Sequence, residues 1–230
     1  GSKIADYLIK PVNPNQILLS IKKNLDEKRL IDEKTTQEYR QEFREISMQL
    51  GQRMNAEEWG DFYKKLIYWT SELSQTSEDS MKEILKTQKQ EANEQFAKYY
   101  EQNYLEWINA KVEAPVMSHT LFNRKIKAQL TPGKPVYWIV IDNLRFDQWR
   151  VIAPFLKDQF RWDNEEIVYS ILPTATMYAR NAMFSGLLPT EMQKLHPQWW
   201  REEEEEGSKN DFEHEFLQAQ LKRLGMNIKT

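Results

Sequence analysis

The sequence has no cysteine, which excludes disulfide bridges and thiolate metal ligands and fits a reducing compartment, so a cytoplasmic location is expected. It has no long hydrophobic run. The longest, around residues 136–141, is far short of the roughly 20 residues a membrane-spanning helix requires, and the N-terminal pattern is not that of a signal peptide. It also lacks an excess of either charge. With a formal net charge of −3 there is no global attraction to nucleic acid or anionic membrane, so any phosphate-binding surface has to be local. Between residues 26 and 130, glycine occurs only at Gly51 and Gly60 and proline only at Pro115, which excludes a turn-rich β architecture there.

What is present is enough apolar material, 40% hydrophobic and 12% aromatic, to fill a sizeable core in a chain of 230 residues. Gly1-Ser2 reads as a cloning remnant, and the abrupt start after it suggests an excised fragment. Residues 4–9 have the pattern of a short strand. Asn13 then offers a cap for a helix with Pro14 in its first position and Ile17, Leu18, Ile21 and Leu25 on one face.

The middle of the chain is helical by periodicity. Tyr39, Phe43, Ile46 and Leu50 recur at helical spacing. Asn55 and Glu58 form a capping pattern before a helix carrying Trp59, Phe62, Tyr63, Leu66, Trp69 and Leu73. Ser77 is placed to cap a third helix carrying Met81, Ile84, Leu85, Gln88, Ala92, Phe96, Tyr99 and Trp107. The expectation is a helical bundle of three main helices with a short fourth near Thr120 to Leu130, and with Trp59, Trp69 and Trp107 in its core.

Thr131-Pro-Gly-Lys-Pro135 interrupts that period, and strand and helix patterns then alternate. Val136 to Ile141 reads as a buried parallel strand, Arg145 to Phe160 as a covering helix, and Ile167 to Leu172 as a second strand. Residues 176–187 read as a helix, Glu202 to Glu206 as a solvated acidic loop, and Asp211 to Leu224 as a helix stopped by Gly225. The expected fold class is therefore α/β with a large α-helical part. Its expected divisions are residues 1–25, 26–130 and 131–230, the last a partial doubly wound sheet.

Two stretches carry chemistry. Asp142 in Asp142-Asn-Leu-Arg145 falls at the carboxyl end of the first strand, where open sheets gather ligands, and its carboxylate is a hard oxygen donor for a divalent cation. It is equally placed to cap the following helix. Thr176 in Pro173-Thr-Ala-Thr176 falls in the first turn of a helix, where N–H groups and the helix dipole favour an anion and an adjacent metal lowers the hydroxyl pKa. An ordinary helix cap is the other reading of Thr176.

Together these stretches, followed by Gly186-Leu-Leu-Pro189, resemble the phosphodiesterase branch of the alkaline phosphatase superfamily. The resemblance implies Thr176 as nucleophile and metal ligand, Asp142 as metal ligand, and zinc as cofactor. Asn143, Arg180 and Asn181 become candidate substrate contacts, and a nucleotide phosphodiester becomes the substrate. The remaining ligands of that superfamily find no match at His119, His196 or His214, so half a site and an inactive fragment are expected. At the other end, Asp6-Tyr-Leu-Ile-Lys10-Pro11 resembles the end of a receiver domain, with Lys10 as its phosphate-sensing lysine. Receiver end, helical bundle and PglZ domain, in that order, resemble the PorX-like response regulators of the type IX secretion system. That resemblance implies a sensor histidine kinase, a sigma factor or secretion-motor protein, and a second copy of the chain as partners, with no membrane insertion. The competing class is a non-catalytic signalling and dimerisation module that docks a partner protein.

Overall fold

The computed structural model describes residues 14–110, 112–130, 134–202 and 204–228. The expected strand at residues 4–9, the Asn13 cap and Lys10 lie outside them. The chain divides into two compact units, residues 1–101 and 102–230.

The first unit is built on α1 (Pro14–Leu50), α2 (Ala56–Ser74) and α3 (Asp79–Ile108), the last turns of α3 belonging to the second unit. Helix α1 runs unbroken past Leu25, with Ile17, Leu18, Ile21 and Leu25 all exposed among the described residues. Its second half supplies Tyr39, Ile46 and Leu50 to a core shared with Trp59, Phe62, Leu66, Trp69 and Leu73 of α2 and Leu85 and Ala92 of α3. The stripes recognised in the sequence are thus the faces that bury, except that Phe43, Tyr63 and Ile84 lie at their margins and stay part-exposed, and that Trp107, expected in this core, is buried instead in the second unit against Tyr169 at 5.8 Å. Trp59 sits edge-on to Phe62 at 5.8 Å and to Phe96 at 5.4 Å, arrangements worth about 0.5–1.5 kcal/mol each beyond burial.

One polar group is built into this core. The Tyr39 hydroxyl, fully buried, donates to Gln88 Oε1 at 2.8 Å, and Gln88 Nε2 donates to Phe43 O and Ser47 Oγ. Burial raises the Tyr39 phenol to about 12, so it remains a donor. A glutamine on an apolar helical stripe is explained by this network, which fixes α3 against α1.

The turns show why the helices start where they do. Asn55 Oδ1 accepts the Glu58 N–H at 3.0 Å while Glu58 Oε2 accepts the Asn55 N–H at 2.7 Å, a complete capping box. Ser77 does not cap α3, which begins at Asp79. Its N–H and hydroxyl instead both donate to Asp32 Oδ2 on α1, at 3.2 and 2.9 Å. A long-range carboxylate here displaces the local cap.

In the second unit an irregular helical stretch over residues 118–129, part 3₁₀ and part π, is followed by α4 (Phe146–Leu156), α5 (Thr176–Ser185), α6 (Pro189–Leu195) and α7 (Glu213–Arg223). Helix α5 is central and packs against α7, α6 and residues 118–120. Around it lie the buried side chains Met117, Ile171, Met192, Phe216 and Leu221.

The expected doubly wound sheet is not formed among the described residues. The only bridge there is a parallel one between Met117 and Tyr169, made by Ser118 N–H to Tyr169 O at 3.0 Å and Tyr169 N–H to Val116 O at 2.8 Å. The run Val136 to Ile141 has no ladder, and Tyr137, Ile139 and Ile141 are 85%, 78% and 59% exposed. Trp138 is anchored, with ring contacts to Phe122 at 5.7 Å and Phe184 at 4.9 Å. The physical reason is that a central parallel strand requires partners on both edges and cover on both faces. The expected covering helix is present as α4, but its Val151, Ile152 and Phe155 are exposed rather than packed on a sheet. Helix α6 starts with Pro189 in its favoured first position.

His119 supplies a pH dependence. Burial holds its imidazole below the usual range, more strongly than the nearby Glu191 raises it, and its Nδ1 is buried without a hydrogen-bond partner among the described residues. The unfolded chain therefore takes up a proton more readily than the folded one. The stability contributed by the neutral ring is complete above about pH 6.5 and is lost as pH falls below it. His196, depressed by burial and by Arg223, acts with the same sign. Urea unfolding of the second unit is expected to show a lower midpoint at pH 5.5 than at pH 7.5, with a smaller difference in His119→Gln. An identical pH difference in that variant would exclude His119 as a contributor.

Candidate active site

The two chemistry-bearing stretches meet in the second unit. Asp142 and Asn143 form a turn in which Asn143 adopts a left-handed φ of 57°, a conformation asparagine tolerates better than most residues. This turn presents the Asp142 carboxylate, whose side chain is 48% exposed. Asp142 caps no helix. Helix α4 begins four residues later at Phe146, with the Gln148 side chain reaching back to the Arg145 N–H at 3.0 Å.

Thr176 is the first residue of α5, following Ala175 in extended conformation. The segment leading to it is tied down at Leu172, whose N–H donates to the Tyr104 hydroxyl at 2.7 Å and whose carbonyl accepts from the same hydroxyl at 3.2 Å. The Ile171 N–H donates to Ser118 Oγ at 3.2 Å. Asn210 Nδ2 donates to Thr176 O at 3.3 Å and to Asn181 Oδ1 at 2.9 Å. Asn181 is buried, and its Nδ2 donates to Met177 O and Lys209 O, both at 2.9 Å. The Asn181 amide therefore faces inward and anchors the loop before α7.

At the centre, the Thr176 hydroxyl donates to Asp142 Oδ2 at 3.4 Å, a long contact. The same carboxylate oxygen accepts from Arg180 Nη1 at 3.0 Å. Arg180 stands one turn beyond Thr176 on the same face of α5. Its Nε donates to Glu213 Oε1 in the first turn of α7, so the guanidinium lies between two carboxylates. Asn143 has no described contact with this group. Neither Glu213 nor Asn210 is legible as a site residue in the sequence, since Glu213 is separated from Arg180 by 33 positions.

The far end of α5 is fixed as firmly. Gln220 Nε2 donates to Phe184 O at 2.7 Å and to Met183 O at 3.3 Å, and Arg223 donates to Ser185 O. These bonds from α7 satisfy the carbonyls left over at a helix C-terminus. Helix α5, with Thr176 at its tip, is thereby held at both ends.

Asp142 and Thr176 offer two hard oxygens converging on one point, which fits two positions of a divalent cation's shell. Zinc takes four, and among the described residues no cluster of three His, Cys, Asp or Glu side chains supplies the others. His196 is stacked on Trp199 at 4.6 Å, and His214 pairs with Gln218 at 2.9 Å.

The second unit thus sets a helix-tip threonine beside a carboxylate and an arginine. Two family descriptions match the chain: the PorX response regulator linker domain over residues 29–108, and the BREX system PglZ alkaline phosphatase-like domain over residues 121–230. The two matches, in this order along one chain, support a PorX-like protein. No curated protein matches its sequence. Among the described residues no helix is long and apolar enough to cross a membrane.

Proposed function

We propose that the chain is part of a cytoplasmic response regulator whose PglZ domain is a zinc-dependent phosphodiesterase acting on nucleotide phosphodiesters, and which regulates type IX secretion. The observation that carries the catalytic part is the convergence of Thr176 Oγ1 and Arg180 Nη1 on the Asp142 carboxylate, at 3.4 and 3.0 Å. In this reading Asp142 and Thr176 hold zinc together with further ligands. When bound, zinc lowers the pKa of a coordinated hydroxyl and offsets phosphate charge. Thr176 Oγ1, its proton passing to solvent, would attack phosphorus from the tip of α5, where the helix dipole favours the anionic group; the P–O bond to one ester alcohol breaks, that alcohol leaves with a proton from solvent, and water then cleaves the phosphate from Thr176. Arg180 binds a phosphate oxygen, and Asn143, exposed on its turn, is a second candidate contact.

The regulatory part rests on the match to the response regulator linker domain. It includes a sensor histidine kinase that phosphorylates a receiver in which Lys10 senses the phosphate. It also includes a sigma factor or secretion-motor protein as partner, and a homodimer.

The test is hydrolysis of a chromogenic phosphodiester, with and without zinc, by this chain and by a longer form carrying a receiver and further metal ligands. Zinc-dependent turnover in the longer form, with little or none here, is the expected result. No turnover in either would end the enzyme reading and leave a docking module.

A further inference from the structure

The first lysines of α3 are matched by carboxylates one turn back: Lys82 pairs with Asp79 at 3.1 Å and Lys86 with Glu83 at 3.4 Å. Lys89 is not. The residues three and four positions to either side of it are Lys86, Leu85, Ala92 and Asn93, so its helix offers it no carboxylate. Its ammonium has three donors, and among the described residues it meets the neutral Thr70 hydroxyl on α2, at 3.3 Å.

Lys89 stands in a groove of about 410 Å³ between α2 and α3, wholly within the first unit and in the size range of small-molecule sites. The floor is apolar, formed by buried Leu73 and Leu85. The α3 wall changes character along its length: Lys82, Lys86 and Lys89 line one end and the carboxamides of Gln90 and Asn93 the other, over about 16 Å of helix. The α2 wall carries Thr70 and Ser74. Their hydroxyls already donate to Leu66 O and Ser71 O, both at 2.7 Å, and so present acceptor capacity to the groove. No carboxylate lines it among the described residues. The side chains of Asp79 and Glu83 are 90% and 73% exposed, and surface pairs of that kind contribute little, so an anion in the groove draws Lys82 and Lys86 away at small cost.

We propose that this groove binds a nucleoside phosphate. The phosphate meets Lys89 first and Lys82 and Lys86 beside it, while the flat body of the nucleoside lies over Leu73 and Leu85. Sugar hydroxyls donate to Thr70 and Ser74. The base edge meets Gln90 and Asn93, each of which both donates and accepts. The bundle then has a ligand of its own, independent of the chemistry at Thr176.

Titration calorimetry of this chain with the common ribonucleoside 5′-monophosphates, with their nucleosides and with inorganic phosphate tests the proposal. At least one nucleotide is expected to bind one-to-one with a Kd below about 1 mM, and about tenfold more tightly than its nucleoside or phosphate alone. Lys89→Gln should weaken that binding about tenfold with the thermal midpoint little changed, since the bond it loses is long. Lys98→Gln removes the same charge from the opposite, exposed face of α3 and should leave binding as it was. Ser74→Leu, at an exposed position near the end of α2, fills the groove without altering a lysine and should abolish binding. The proposal is overturned if no nucleotide binds, if Lys98→Gln weakens binding as much as Lys89→Gln, or if binding survives in both Lys89→Gln and Ser74→Leu. Inorganic phosphate binding as tightly as the nucleotide would overturn the nucleoside assignment.

Discussion

Thr176→Val is expected to lower zinc-dependent phosphodiester hydrolysis by the longer form at least about a thousandfold while leaving the fold intact, because a nucleophile has no partial substitute. Valine matches threonine in shape and branching, so the first turn of α5 keeps its side-chain volume. The hydroxyl is exposed, and its one contact, to Asp142 at 3.4 Å, is long, so the stability change should stay within about 0.5 kcal/mol. Thr176→Ser restores a hydroxyl at the same place and should recover part of the rate. Steady-state kinetics on the two variants, beside a thermal melt, decide the matter. A valine variant that keeps its rate would remove Thr176 from the mechanism, and one that melts early would show the hydroxyl to be a structural cap.

Gly186→Ala should be the most damaging single-methyl change in the second unit, at about 3 kcal/mol or more. Gly186 ends α5 in a left-handed conformation, φ 65°, and donates its N–H to Ala182 O at 2.9 Å. An alanine there loses about 1–2 kcal/mol to backbone strain alone. Its Cβ would also stand 2.2 Å from Gln220 Oε1 and 2.7 Å from its Cδ, so that side chain has to shift. Gln220 is 2% exposed and is committed to Met183 O and Phe184 O. Moving it leaves part-buried helix-end carbonyls without this partner, at about 1 kcal/mol each. Chemical denaturation should show an early transition of the second unit with that of the first unchanged. A loss below about 1 kcal/mol would mean that Gln220 finds another seat.

The first unit was largely legible because its determinants are local. Helical spacing from Tyr39 to Leu50 and from Trp59 to Leu73 identifies the buried faces, and the Asn55–Glu58 pair marks a helix start by its own side-chain chemistry. Ser77 has the local pattern of a cap but does not act as one, because the competing group, Asp32, lies 45 positions away on another helix. The apolar run from Val136 to Ile141 matches a parallel strand in composition, yet a strand's hydrogen bonds belong to its neighbours, and no neighbour pairs with it among the described residues. Its outward side chains record that missing partnership.

For the site, the sequence by itself determined the chemical types and their local settings: a carboxylate on a turn at Asp142, and a hydroxyl at a helix tip at Thr176. Both are properties of a few adjacent residues. Only the tertiary structure decided that the two face one another, that Arg180 stands between Asp142 and Glu213, and that Asn181 turns inward to Asn210. Those pairings join residues about 30 to 40 positions apart, through the packing of α5 against α7 and the loop before it. Periodicity reports which face of a helix is buried. It carries no information on which distant side chain that burial brings to the other end of a hydrogen bond.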